Sequence, residues 1–257
     1  MIKEKLINYL NKENVKGAFA VKYLGKNISY SFNECEIVPS ASLIKMFIMI
    51  KAFMMIKEGR LNLEFEIDVK KEDVVPFSVL EFLSPRKYSL EELLKLMIVY
   101  SDNTATNVLI DFFGTESVND VIKDLGYSVS VLGRKMMDFK AAEEGRQNYT
   151  SVAEMFDLMN RLYSNQLIGS DCDEKMLEIM KGQSDETMMR QELPDELVIA
   201  RKSGELDCLD HDIAIVYTEK GDYIFVFFVW EAKDNNHARD VLSKASKMVF
   251  DDFMDKK

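Results

Sequence analysis

Residues 42–58 constrain the fold more than any other segment, because their helical pattern has almost no polar face. Leucine, isoleucine, methionine and phenylalanine fill most positions between Leu43 and Ile56. A helix that is apolar on all sides cannot rest on a protein surface, so the rest of the chain must enclose it. We therefore predict a central helix over Ser42–Glu58, ended by Gly59 at its C-terminus.

Ser42 and Lys45 are polar residues at the start of this helix, one turn apart on the same face. The N–H groups and the dipole of a helix N-terminus favour developing negative charge at Ser42. Burial lowers the pKa of a lysine toward that of a usable base. The spacing alone is a weak signal, since Ser84-Pro-Arg-Lys87 repeats it in polar surroundings that indicate a solvated loop. The apolar context favours Ser42 as a nucleophile activated by Lys45 without histidine.

The composition narrows the class of partner. The chain of 257 residues carries a formal net charge of -11. This charge argues against nucleic acid and against an anionic membrane surface, because both would repel the protein. We expect a small-molecule substrate, no nucleic acid and no membrane as partner, and the oligomeric state stays open.

The cysteines and the N-terminal sequence bear on the compartment. Cys35, Cys172 and Cys208 are odd in number and unclustered, which fits neither a disulfide framework nor a zinc site. No metal and no cofactor are predicted. The first residues lack the pattern of a signal peptide. The expected location is therefore the cytoplasm, or outside it if a leader has been removed.

The order of predicted elements is a helix, two strands, several helices, three strands and a helix. The predicted strands are Gly17–Leu24, Ile28–Phe32, Val198–Lys202, Asp212–Thr218 and Tyr223–Trp230, with the first hairpin turn at Gly25-Lys26-Asn27. Besides the central helix, the predicted helices are an N-terminal one, one capped by Ser89 and Glu92 that runs to about Tyr100, Thr104–Phe113, Ser117–Leu125, Ser151–Tyr163 (also with a capping box, to Glu154), Asp173–Lys181 and one from about Asn236 to Phe253. Residues 60–87 are expected to be irregular, and residues 127–150 to form a long loop.

Strands from both ends of the chain most simply join one antiparallel sheet, flanked by the terminal helices. This arrangement predicts an α/β (α+β) protein that forms a single domain over residues 1–257. A sheet lobe would hold about residues 1–38 and 190–257, and an inserted helical lobe about residues 39–189.

Two further motifs stand in order behind Ser42. Ser101-Asp102-Asn103 follows the end of a capped helix, where the simplest interpretation is an interhelix turn that starts the next helix. Lys202-Ser203-Gly204 ends an apolar strand, where the simplest interpretation is a strand that runs out into a glycine turn. Each pattern is common when taken alone.

Taken together, the three motifs resemble those of class A β-lactamases and penicillin-binding serine hydrolases. Each also lies in the structural context of that superfamily, namely a helix N-terminus, an interhelix loop and a sheet strand. The segment from Ser101 through Asn107 resembles the corresponding helix start as well. The resemblance covers nearly the whole chain and implies a β-lactamase-like fold.

The resemblance also implies roles at the matched positions. Ser42 would attack a carbonyl to form an acyl-enzyme, Lys45 would accept or relay the proton, and Ser101 would pass a proton to the leaving nitrogen. The expected substrate-binding positions are Asn103, for a side-chain amide, and Lys202, Ser203, Gly204 and Glu205. Of these, Lys202 and Ser203 would bind a carboxylate, and the backbone N–H groups of Ser42 and Glu205 would form the oxyanion hole.

The chain departs from the class A pattern in the residues that serve deacylation, the hydrolysis of the acyl-enzyme. That class holds its deacylating water in a Glu-x-x-Leu-Asn stretch of a long loop, which here would be bracketed by Arg134 and Asn148. No such stretch lies between them. Asp138 is the nearest carboxylate by count, with Glu143 and Glu144 further along. The sequence thus predicts acylation by penicillin-like compounds followed by slow release.

Other functions remain open at this stage. The same chemistry would serve a D,D-peptidase or a small-ester hydrolase, and a serine-dependent glutaminase has a related fold. A sensory module that binds penicillin without turnover would keep the same pocket. Asp210-His211-Asp212 could supply a Ser-His-Asp arrangement, but we expect His211 to line the entry of a strand or to lie on the surface.

Overall fold

The strands near the two ends of the chain form one sheet in the computed structural model, which describes residues 1–26 and 28–256. This antiparallel sheet has the strand order β2-β1-β9-β8-β7. Its strands are β1 (Lys16–Tyr23), β2 (Ile28–Phe32), β7 (Val198–Leu206), β8 (Leu209–Thr218) and β9 (Gly221–Trp230). The predicted α/β (α+β) class with a shared antiparallel sheet is confirmed. The predicted turn residue Asn27 lies outside the described residues.

Helices account for about half of the remaining described chain. They are α1 (Ile2–Lys12), α2 (Lys45–Lys57), α3 (Leu90–Val99), α4 (Asn103–Phe113), α5 (Thr115–Asp124), α6 (Phe139–Glu143), α7 (Val152–Tyr163), α8 (Ser170–Lys181) and α9 (Asn235–Asp255). Four shorter strands lie between them: β3 (Val38–Pro39), β4 (Glu66–Val69), β5 (Arg86–Ser89) and β6 (Tyr149–Thr150). In the described part of the chain, no helix is both long and apolar enough to cross a membrane.

Strand β9 shows how the sheet divides two cores. It pairs with β1 from Lys16↔Trp230 to Tyr23↔Tyr223 and with β8 on its other side. Alternate residues of a strand point to opposite faces. Phe225 and Phe227 accordingly pack with the apolar residues of α1 and α9, whereas Ile224 and Phe228 pack with the core of the helical part.

Helix α2 lies inside this second core, as its composition predicts. Every side chain from Lys45 to Ile50 is fully buried. The predicted start at Ser42 was wrong in detail, because Ala41–Ile44 form a 3-10 turn and the α-helix begins at Lys45. The turn keeps Ser42 half-buried, while Lys45 enters the core.

Several other predicted boundaries change in the structure. Residues 60–87 are not wholly irregular, because β4 pairs antiparallel with β5 from Glu66↔Ser89 to Val69↔Arg86. Strand β7 continues four residues beyond the predicted end at Lys202, so the Lys-Ser-Gly motif lies within the sheet. The capping box of Ser89 and Glu92 is confirmed. The predicted capping box of Ser151 and Glu154 is not completed, because the Glu154 side chain accepts from the backbone N–H groups of residues 128–130.

The loop between α5 and α7 closes on itself through Asn148. The Asn148 Oδ1 accepts from the backbone N–H groups of Gly133 and Arg134, at 2.8 and 2.9 Å. The Asn148 carbonyl accepts from Ser40 N at 2.8 Å, which ties the loop to the turn that carries Ser42. Arg134 and Asn148, which were predicted to bracket this loop, are therefore joined by a hydrogen bond from the Arg134 backbone N–H to the Asn148 side chain. Gly133 is required here, since a Cβ atom would lie 2.4 Å from the carbonyl oxygen of Gln147.

We expect Gly133→Ala to lower the free energy of unfolding by about 3 kcal/mol, because the added methyl group meets backbone that cannot move without opening the loop. Gly145→Ala is the control in the same loop. It has open space around its Cβ position but a φ of +83°, and should cost only about 1 kcal/mol. Urea unfolding of both variants checks the difference. Equal losses would show that the close approach at Gly133 is not what the loop depends on.

Candidate active site

Strand β7 passes directly beside the turn that carries Ser42. A Cβ atom on Gly204 would lie 3.2 Å from Ser42 N and 3.3 Å from Ser40 O. Only glycine allows this approach without displacing the backbone. The close contact brings the backbone of Ser42 next to the strand that continues to Glu205, where the family resemblance implies the second oxyanion donor.

Lys45 reaches from the start of α2 to the loop between α3 and α4. Its Nζ lies 2.5 Å from the Ser101 carbonyl oxygen, 3.1 Å from Ser101 Oγ and 3.0 Å from Asn103 Oδ1. Within the described residues, no hydrogen bond joins this amine to Ser42 Oγ. The structure thus brings Lys45 and the Ser-Asp-Asn motif together.

Lys202 completes the arrangement from the sheet side. Its Nζ lies 3.1 Å from Ser101 Oγ and donates to the Ser203 carbonyl oxygen at 2.8 Å. The Ser101 hydroxyl therefore contacts both buried lysines. Ser101 has a φ of +54°, a left-handed conformation that costs free energy in a residue other than glycine and is often found at functional sites.

Burial governs the ionisation of both lysines. Desolvation holds the pKa of Lys45 well below its usual range, and the charge of Lys202 lowers it further while Asp102 opposes the shift. Desolvation also lowers the pKa of Lys202, to about 7. A lysine that is neutral near physiological pH can accept a proton, as a general base must.

The Ser-Asp-Asn motif also supports the segment on the other side of the site. Asp102 begins α4 by accepting from Ala105 N at 2.7 Å, as the simplest interpretation of the motif predicts. Its other oxygen accepts from Leu80 N at 3.1 Å. Asn103 Nδ2 donates to the Pro76 carbonyl oxygen at 3.2 Å. These bonds hold residues 76–80 beside the cavity.

His211 is not on the surface. It is fully buried on β8, stacks on Phe228 with ring centroids 4.2 Å apart, and lies between the carbonyl oxygens of Asp210 and Pro39, 2.9 and 3.0 Å from its ring nitrogens. Burial lowers its pKa to about 4, so the ring is neutral at pH 7 and donates to one of the two carbonyls. It positions the turn before Ser42 rather than acting as the base of a triad.

A cavity of about 660 Å³ opens over these residues. Ser42, Ser101, Asn103, Ser203, Gly204 and Glu205 all line it. Three exposed aromatic side chains, Phe77, Tyr100 and Phe139, also line it. The predicted site residues Ser42, Ser101, Asn103 and Ser203 thus meet in one cavity, with Lys45 and Lys202 buried beneath it.

The carboxylates expected to serve deacylation are placed elsewhere. Asp138 is absent from the residues that line the cavity, and its Oδ1 caps α6 by accepting from Ala141 N at 2.9 Å. Glu143 and Glu144 are exposed on the far part of the loop. Asp138 stays a prediction, and the count along the loop did not anticipate α6, whose N-terminus uses this side chain as its cap.

Met136 occupies the loop position that faces the cavity. Asn107 holds its backbone from both sides, with Oδ1 accepting from Met136 N at 2.8 Å and Nδ2 donating to Met136 O at 3.1 Å. Met136 and Met137 both line the cavity. Sequence reasoning missed these two residues because methionine in a nonperiodic loop carries no chemical signal.

Comparisons with known proteins agree with this geometry. Residues 1–253 match the family described as the Beta-lactamase enzyme family, and the chain belongs to this family. A β-lactamase of Rhodobacter capsulatus is 29% identical over 203 residues, which cover 77% of this chain and 69% of that protein.

Two solved structures show the same fold. An ancestral class A β-lactamase has a TM-score of 0.90 at 20% identity, covering 98% of this chain and 100% of its own. A mutant of PBP-A, solved as an acyl-enzyme complex with penicillin G, has a TM-score of 0.90 at 23% identity, covering 99% of this chain and 97% of its own. By family and fold, the protein is a β-lactamase-like serine hydrolase.

We expect the stability of the protein to rise with pH above about 7 because of Lys202. Between its folded pKa of about 7 and its ordinary value of 10.5, the unfolded chain binds a proton that the folded protein does not, so the free energy of unfolding increases with pH. Lys202→Met lacks this contribution. Urea unfolding of both proteins at about pH 7.5 and 9.5 should show the wild type gaining about 1–3 kcal/mol relative to the variant. A difference that does not change with pH would mean that folded Lys202 stays charged.

Proposed function

We propose that this protein uses Ser42 to open β-lactams and releases the resulting acyl-enzyme slowly. The observation that carries the proposal is the contact of Ser101 Oγ with both buried lysines, in the cavity that Ser42 lines. This arrangement supplies a nucleophile, a low-pKa amine and a hydroxyl that can pass a proton. Histidine takes no part in the reaction.

These groups can carry out acylation in two steps. Ser42 Oγ forms a bond to the carbonyl carbon, and its proton moves to the neutral amine of Lys45. The C–N bond of the lactam then breaks, and Ser101, between Lys45 and Lys202, gives its proton to the leaving nitrogen and takes the one that Lys45 received from Ser42. The backbone N–H groups of Ser42 and Glu205 stabilise the oxyanion, each by about 3 kcal/mol.

Slow release is supported by the lining of the loop side of the cavity. Among the described residues, the loop contributes Arg134, Met136, Met137, Phe139, Gln147 and Asn148 to that lining. None of these side chains is a carboxylate that could take a proton from a water molecule. On the loop side, water that approaches the ester on Ser42 would therefore meet no carboxylate base. A general base accelerates such a step by about 10²–10⁴-fold.

The lack of a carboxylate on the described loop side of the cavity also favours a second candidate, a penicillin-binding module without turnover. Acylation would then be the end point rather than half of a cycle. Acyl-D-Ala-D-Ala peptides and short esters, tested beside a chromogenic cephalosporin, separate a peptidase or an esterase from a β-lactamase. Multiple turnovers on any of these substrates would exclude the module.

Ser42→Ala should abolish the covalent adduct that benzylpenicillin forms. Of the described residues that line the cavity, no other combines a hydroxyl with a neighbouring low-pKa amine on one helical turn. Intact mass spectrometry measures the adduct. Ser84→Ala is the matched control, since exposed Ser84 shares the Ser-x-x-Lys spacing with Lys87, and it should be acylated like the wild type. An adduct on Ser42→Ala, or none on the wild type, would sink the proposal.

Met136→Glu should speed loss of the acyl group by at least about 10-fold, because it places a carboxylate at the loop position that Asn107 holds toward the cavity. Decay of the adduct mass over time gives the rate. Met137→Glu is the control for position, and its gain should be clearly smaller. Formation of the adduct itself shows that each variant is folded. If Met136→Glu releases the acyl group no faster than the wild type, the account of slow deacylation is wrong.

A further inference from the structure

The turn that carries Ser42 packs against three residues that lie side by side across the sheet. Gly204 on β7 pairs with His211 on β8, and His211 pairs with Phe228 on β9. Residues directly opposite one another in an antiparallel sheet point to the same face. Gly204 leaves room for the turn, because a Cβ atom there would lie 3.2 Å from Ser42 N. The His211 ring lies beside this gap, stacked on Phe228.

A hydrogen bond between His211 and Pro39 fastens the turn to this surface. His211 Nε2 lies 3.0 Å from the Pro39 carbonyl oxygen. Among the described residues, this is the only hydrogen bond that joins residues 38–44 to β7, β8 or β9. The other anchor of the turn, from Ser40 N to Asn148 O, leads to the loop instead.

The strand pairing indicates which ring nitrogen of His211 carries the proton. Ser40 N donates to Asn148 O, so the Pro39 carbonyl points away from β6, because consecutive residues of a strand turn their backbone groups to opposite sides. Asp210 pairs with residues on both β7 and β9, so its carbonyl accepts within the sheet. The ring is neutral and has one N–H. That N–H is needed on Nε2, since a carbonyl left without a donor costs free energy.

This hydrogen bond acts on the expected oxyanion hole. The family resemblance assigns one N–H to Ser42, in the turn, and the other to Glu205, the residue after Gly204 on β7. The two donors come from different elements, so the distance between them depends on how the turn is held to the sheet. Oxyanion donors act at about 2.7–3.1 Å from the oxygen, and a misplacement of about 1 Å can lower a rate by about 10²-fold.

We propose that His211 is a positioning residue for acylation. Its Nε2–H holds the Pro39 carbonyl and thereby sets the distance between the Ser42 N–H and the donor on β7. The proposal rests on the proposed function, because it concerns the step in which Ser42 is acylated. Among the described residues that line the cavity, His211 is absent. It therefore acts through the backbone and should change the rate of acylation rather than the binding of the compound.

His211→Gln and His211→Asn separate the two ring nitrogens, because the amide nitrogen of glutamine reaches about as far as Nε2 and that of asparagine about as far as Nδ1. Acylation by benzylpenicillin, followed by intact mass at several concentrations, gives the limiting rate and the half-saturating concentration. We expect the limiting rate of His211→Gln to stay within about 3-fold of the wild type, and that of His211→Asn to fall by about 30–100-fold. The half-saturating concentration should change by less than about 3-fold in both.

His237→Gln is the matched control, because it replaces the second of the two histidines, which is not among the described residues of the cavity lining. Its rate should equal that of the wild type. Equal losses in both His211 variants, no loss in His211→Asn, or a change confined to the half-saturating concentration would each overturn the proposal while the proposed function stands. If benzylpenicillin does not acylate the wild type, the proposed function fails and this role of His211 fails with it.

The protonated nitrogen can also be observed without any reaction. In His237→Gln the imidazole ¹⁵N signals belong to His211 alone, so nuclear magnetic resonance at pH 7 reports its protonation directly. We expect a proton on Nε2. A proton on Nδ1 alone would contradict the proposal even if the position-211 variants fold poorly, because the ring would then have no hydrogen to donate to Pro39.

Discussion

Two buried lysines that share one serine hydroxyl are the constraint on which the rest of this structure depends. Lys45 Nζ and Lys202 Nζ each lie 3.1 Å from Ser101 Oγ. Two charged ammonium groups this close in a buried site would repel each other, and each would lose its hydration. The protein avoids this cost by lowering the pKa of both lysines, so that the arrangement is stable in the state that can accept protons.

Both sides of this contact are supported by long elements. The apolar helix α2 carries Lys45 into the core, and the interior strand position of Lys202 on β7 carries the second amine. Ser101 keeps its left-handed backbone between them because Asp102 caps α4 and Lys45 holds the Ser101 carbonyl. The site is thus rigid at its base, whereas its rim consists of loops that bear aromatic, methionine and acidic side chains.

The sequence predicted the elements that have a strong residue pattern. It missed elements that are too short to show one and residues whose burial depends on the rest of the fold. Helix α2, the shared sheet and the Ser89 cap follow from periodicity and capping chemistry. The β4–β5 hairpin was missed because its strands have only four residues each, and Arg86 and Lys87 are exposed. His211 was misplaced because a histidine between two aspartates suggests a polar surface, whereas the strand buries it against Phe228.

The same distinction holds within the site. The three motifs located Ser42, Ser101 and Lys202 because spacing and element type agree along the chain. Met136 lies in a loop, where hydrogen bonds from Asn107, distant in sequence, hold its backbone and neither period nor motif indicates its place. Asp138 was chosen by counting residues, and the short helix that follows it uses its carboxylate as a cap.

The pairing of strands from both ends of the chain in one sheet affects how the protein folds during its synthesis. His211 contacts Pro39 across 172 residues of sequence, and β7 meets the turn of Ser42 only after most of the chain exists. During synthesis, helix α2 leaves the ribosome long before the strands that cover it. Its apolar surface must stay exposed or be shielded by a chaperone in that interval, since contacts of such long range form slowly. Catalytic competence is therefore among the last properties that the growing chain acquires.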